Sequence, residues 1–111
     1  MTKRVYYLDD EVDLCNLFKE FIQSDTVEVV TFVDTQEAIQ QCEKSPPDLM
    51  FIDYRLSDTT GNLVAEALSD DFEKILVTGE LELPQHAVFS EVISKPYRLL
   101  DIQKVVDERL K

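Results

Sequence analysis

The sequence predicts a doubly wound α/β domain, a parallel sheet covered by helices on both faces. Short β-rich runs alternate along the chain with segments whose apolar residues recur at helical spacing. The third and fourth of those runs are apolar almost throughout, as strands buried on both faces are. At 111 residues the chain is one domain, 1–111, able to bury roughly 65% of its unfolded surface and too short for a second core.

The elements follow in order. Arg4 to Leu8, "RVYYL", is a short first strand, and Leu14, Leu17, Phe18, Phe21 and Ile22 then repeat on the inner face of a helix. Thr26 to Val33 is dense in β-branched residues and forms the second strand. Asp34 is a good N-cap for a helix with Ala38, Ile39 and Cys42 on one face. Ser45-Pro46-Pro47 ends that helix, because proline cannot continue its hydrogen bonding, and Leu49 to Ile52 is the third strand. "GNLVAEALSDD" offers two to three helical turns with Leu63, Val64, Ala67 and Leu68 facing inward, and Lys74 to Thr78 is the fourth strand. Gly79 to Phe89 holds at most a short helix starting near Pro84. "EVIS" is the fifth strand, and Leu99, Ile102, Val105, Val106 and Leu110 mark the last helix.

Composition narrows the function. A formal charge of -12 opposes contact with nucleic acid phosphate or an anionic membrane. The longest apolar run is four residues, against roughly 20 for a membrane span, and the N-terminus has no signal-peptide pattern. The expected location is the cytoplasm. Cys15 and Cys42 sit inside helical patterns with neither metal spacing nor a disulfide framework, and read as buried thiols. With glycine only at positions 61 and 79, no phosphate-cradling glycine loop can be built. His86, the lone histidine, reads as a loop residue rather than a phosphodonor.

Chemistry-bearing residues gather at the carboxyl ends of the strands, where open sheets of this class bind their ligands. They are Asp9 and Asp10 after the first strand, Asp53 after the third, Thr78 and Gly79 after the fourth, and Lys95 after the fifth. Each alone has an ordinary structural reading: a helix cap for Asp9 or Asp10, a turn former at Asp53, a turn at Thr78-Gly79, a solvated charge at Lys95. Together, at four of the five strand ends, they point instead to one shared purpose. Carboxylates about 4 Å apart repel by roughly 4 kcal/mol at an effective dielectric near 20, so the cluster calls for a cation. An all-oxygen set suits Mg²⁺, which keeps several waters and leaves room for a phosphate oxygen.

From "YLDDE" through "FIDYRLSDTTG" and "LVTGE" to "ISKPY", the chain resembles the receiver domains of two-component response regulators. The resemblance implies a flavodoxin-like strand order, 2-1-3-4-5. It implies that Asp53 is the phosphoacceptor, taking a phosphoryl group from a phosphohistidine of a histidine kinase or histidine phosphotransfer protein. Asp10, Asp53 and the backbone carbonyl of Arg55 would then hold Mg²⁺ directly, with Asp9 acting through water. Thr78, beside Gly79, and Lys95 would each meet a phosphoryl oxygen, and the Lys95-Pro96 peptide would be cis. The phosphorylated state would change contacts with a downstream protein.

The chain also departs from that family. Val92 stands where an aromatic residue commonly swings inward, and Ser57 replaces a usual proline, although Gly61 keeps the family glycine. Thr78 follows Asp53 by 25 positions and Lys95 follows Thr78 by 17, both short gaps, so the third and fourth helices should be stunted. Two alternatives therefore accompany the receiver reading: an adaptor that binds its partner without phosphate, and a phosphate sink in a relay. A dehalogenase-type phosphohydrolase fits less well, because Arg55 occupies the place of its second aspartate. The expectation is a stand-alone receiver without an output domain, with Tyr54 and Arg55 beside the site available to gate water or to shape partner choice.

Overall fold

β1 (Lys3–Leu8) is an inner strand of the sheet in the computed structural model, which describes residues 2–80 and 88–110. It pairs with β2 (Val27–Phe32) on one side and β3 (Leu49–Asp53) on the other; β4 (Glu73–Thr78) and β5 (Glu91–Ser94) complete the sheet beyond β3. All pairs are parallel and the order is 2-1-3-4-5, the flavodoxin-like topology that the sequence predicts.

Strand periodicity then sorts the core into two layers, because successive side chains leave opposite faces. Val5, Tyr7, Leu49, Phe51, Ile75 and Val77 face α1 (Val12–Ile22) and α4 (Leu99–Arg109), meeting Cys15, Phe18, Ile22, Ile102, Val105 and Val106. Tyr6, Leu8, Met50 and Ile52 face α2 (Thr35–Lys44) and α3 (Gly61–Ala67), where Ala38, Cys42, Val64 and Ala65 close the second layer. Every residue of β3 is buried, so each of its large apolar side chains contributes on the order of 2 kcal/mol to holding the central strand in place. A rigid β3 is what fixes the position of Asp53 at its tip.

Several local expectations need correction. Leu17 and Phe21 are 51% and 42% exposed, because the face of α1 that meets the sheet is the one carrying Cys15, Phe18 and Ile22. Leu63 and Ala67 likewise point to solvent, while Val64, Ala65 and Leu68 pack inward. α3 stops at Ala67 because Leu68 turns extended, the Ser69 hydroxyl accepts the Asp71 N–H at 3.0 Å, and the buried Lys74 ammonium donates to the Ser69 carbonyl at 2.6 Å. The helix is stunted, as the short spacing predicts. The N-cap of α1 is Glu11 rather than Asp9 or Asp10, whereas Asp34 caps α2 as expected, accepting the Glu37 N–H at 2.9 Å. His86 and the short helix expected near Pro84 lie outside the described residues.

Candidate functional site

Register brings the acidic residues together. Leu8 pairs with Ile52, so the next residues along each strand, Asp9 and Asp53, emerge side by side at the carboxyl edge. On the far side Thr78 pairs with Ser94, and the Lys95 N–H donates to the Thr78 carbonyl at 2.7 Å, which brings Lys95 to the same edge. The Lys95-Pro96 peptide is cis. These ends enclose a cleft of about 310 Å³ lined by Asp10, Asp53, Arg55, Thr78, Glu80 and Lys95, among others.

One carboxylate oxygen from each of Asp9, Asp10 and Asp53 lies within 4.8 Å of the other two. Asp9 and Asp53 are buried and Asp10 is exposed. This converging set of hard oxygen donors, two of them withdrawn from water, fits a divalent cation such as Mg²⁺. Lys95 offsets part of the charge: its Nζ stands 2.9 Å from Asp9 Oδ2 and 3.2 Å from Asp53 Oδ1. It is therefore no solvated charge, and it already rests against the carboxylate expected to accept a phosphoryl group.

Burial raises the pKa of Asp53 from 3.8 to about 6, with the negative charge of Asp9 adding to the rise and Lys95 opposing it. Burial also works against the charge of Lys95, but its hydrogen bond to Asp9 and the charges of Asp9 and Asp53 outweigh it, and its pKa ends raised. A carboxylate poised this way holds its negative charge reluctantly and gains from a nearby cation.

The loop after β3 is built for close approach. Arg55 bridges Thr60 in an isolated antiparallel pair, and the Gly61 N–H donates to the Tyr54 carbonyl at 2.7 Å. A Cβ on Gly61 would fall 2.5 Å from the Asp53 backbone oxygen, so only glycine lets α3 begin this close to the site. The Thr78 hydroxyl accepts the Glu80 N–H at 2.9 Å, which leaves its own proton for an incoming oxygen. Across the mouth, the Arg55 guanidinium pairs with the Glu80 carboxylate. Val92 sits on β5, 41% exposed and opposite Leu76 in the ladder.

Two participants escape sequence reasoning. Glu80 carries no motif beyond its place after Gly79. Tyr7 reads as an ordinary strand residue, yet its hydroxyl donates to Asp9 Oδ2 at 2.5 Å and lies 3.1 Å from the Tyr97 hydroxyl. Burial, reinforced by the hydrogen bond to Asp9, pushes its pKa far up, so it stays a neutral donor. The available signal was the strand period, which puts Tyr7 on the same face as Asp9 two residues later.

A family model described as "Response regulator receiver domain" matches residues 5–107. Among solved structures, a response regulator receiver domain protein (CheY-like) from Methanospirillum hungatei JF-1 is 24% identical with a TM-score of 0.90, covering 99% of this chain and 94% of the other. A receiver domain (CheY-like) from Methylobacillus flagellatus is 17% identical with a TM-score of 0.87, covering 98% and 99% respectively. Among curated proteins, the regulatory protein VanR of Enterococcus faecium is 24% identical over 118 aligned positions that take in 100% of this chain and 51% of the relative. The chain thus spans about half the length of that curated relative.

Proposed function

Because the chain belongs to the response regulator receiver domain family, a family of signalling switches that interact with phosphoryl donors and downstream targets, we propose that it accepts a phosphoryl group on Asp53 from a phosphohistidine donor. The donor is a histidine kinase or a histidine phosphotransfer protein. The observation that carries this reading is the placing of the Lys95 ammonium 3.2 Å from Asp53 within the three-carboxylate cleft.

Asp10, Asp53 and the Arg55 carbonyl would hold Mg²⁺ directly, with Asp9 acting through water. That division agrees with the state of Asp9, whose oxygens already accept from Glu11 N–H, Tyr7 and Lys95. When bound, the ion supplies positive charge opposite the growing negative charge on the phosphoryl oxygens. An Asp53 carboxylate oxygen attacks phosphorus, the P–N bond to the donor imidazole breaks, and the electron pair leaves on the imidazole nitrogen, which takes up a proton. The product is an acyl phosphate that water later cleaves at phosphorus, resetting the signal. Lys95 leans from Asp53 toward the new phosphoryl oxygens, and the Thr78 hydroxyl beside Gly79 donates its proton to another. Val92 has no ring to turn inward, so the change is read through the closing of the Thr78 and Lys95 segments and alters protein contacts there.

The test is incubation with acetyl phosphate and Mg²⁺, followed by intact mass measurement. Wild type should gain one phosphoryl group and Asp53→Asn none. Failure of wild type to gain mass, or to respond to beryllium fluoride, under conditions that label another receiver, would overturn the reading and favour an adaptor that works without phosphate.

A further inference from the structure

Tyr7 is fully buried in β1, its ring stacked on Phe18 with centroids 4.3 Å apart. Phenylalanine would fill that space without the cost of burying a hydroxyl. The hydroxyl is spent on Asp9 Oδ2 at 2.5 Å. An ionised carboxylate only accepts, so the single Tyr7 proton goes to Asp9 and the 3.1 Å contact between hydroxyls must be donated by Tyr97. A directional chain results, running from Tyr97 through Tyr7 to Asp9.

An ionised carboxylate has about four acceptor sites. On Asp9 three are taken, by Glu11 N–H at Oδ1 and by Tyr7 and Lys95 at Oδ2. Lys95 is the shared member, since it also touches Asp53. When Lys95 leans toward a phosphoryl group, Tyr7 remains as the side-chain donor that keeps Asp9 in place.

We propose that Tyr7 is a positioning residue of this pocket: its hydroxyl, itself held by Tyr97, orients Asp9 for the divalent cation. The inference rests on the receiver reading above. Donors behind a metal site that fix the orientation of a carboxylate change metal affinity when removed, commonly by tenfold or more.

The experiment is calorimetric titration of metal-free protein with Mg²⁺, with thermal melts in chelator alongside. Tyr7→Phe should weaken Mg²⁺ binding by about tenfold, and Tyr97→Phe, which leaves the Asp9 contact intact, by about two- to threefold. Tyr6→Phe is the control. It loses a hydrogen bond of the same length, to the Ser45 carbonyl on the opposite face, and should leave Mg²⁺ affinity unchanged whatever it does to the melting temperature. Tyr7→Phe binding Mg²⁺ as tightly as wild type, or more tightly, overturns the proposal. So does an equal loss in Tyr6→Phe. Should Tyr7→Phe fail to fold, Tyr97→Phe decides, and wild-type affinity there overturns it. Wild type that binds no Mg²⁺ sinks the pocket's cation role itself, a separate failure.

Discussion

Lys95 and Asp9, separated by 86 positions in the chain, form an ion pair of 2.9 Å in which the aspartate is wholly buried. Lys95→Met should therefore leave Asp9 and Asp53 without their cation and destabilise the metal-free protein by about 3 kcal/mol at pH 7. Mg²⁺ should restore part of the loss. Urea denaturation with and without Mg²⁺ measures both, and a variant as stable as wild type in chelator would contradict the assignment.

Asp53 makes stability pH-dependent in a definite direction. Its folded pKa of about 6 stands above the ordinary 3.8, so between those values the folded state binds more protons than the unfolded one. The contribution of Asp53 to stability thus falls as pH rises through that window, by on the order of 3 kcal/mol, and stays lost above it. Asp53→Asn should remove this slope and melt higher than wild type at pH 7 in chelator. Denaturation midpoints for both proteins from pH 4 to 7 check it; parallel curves would place the cost elsewhere.

Gly61→Ala should destabilise the protein by about 2 kcal/mol, because the new methyl meets the Asp53 backbone oxygen at 2.5 Å and the strand end must move. Phosphoryl uptake from acetyl phosphate should slow in the same variant, since the displaced strand end carries Asp53, the proposed nucleophile. A Gly61→Ala protein with wild-type stability and uptake would show that the β3–α3 loop yields freely.

The Arg55–Glu80 pair spans the cleft mouth on the surface, where such pairs contribute less than about 1 kcal/mol. Its role is access. Arg55→Ala keeps the backbone carbonyl but opens the mouth to water, and should shorten the lifetime of the acyl phosphate about threefold, equivalent to about 0.7 kcal/mol in the barrier. Following loss of phosphorylated mass over time decides the point, and Glu80→Ala should match it.

How far the site was legible depends on the kind of contact. Asp9, Asp10, Asp53, Thr78 and Lys95 could be read because each ends a strand whose apolar pattern is local, and a parallel sheet has one carboxyl edge. Glu80 could not, since nothing nearby in the chain distinguishes a rim carboxylate from an ordinary one; for Tyr7 the strand period gives the face it shares with Asp9, but not that its hydroxyl is bonded there. The helix faces failed where several apolar residues competed: Leu17 and Phe21 repeat at helical spacing as well as Cys15, Phe18 and Ile22 do.

By itself the sequence determined the alternation of strands and helices, the strand that carries Asp53, and the glycine at position 61, because backbone periodicity and proline or glycine constraints act over a few residues. The tertiary structure alone decided that Leu8 lies opposite Ile52, that Lys95 reaches two carboxylates, and that the hydroxyls of Tyr7 and Tyr97 meet across 90 positions of chain. Those contacts depend on sheet register and side-chain reach, which are set only when the layers pack.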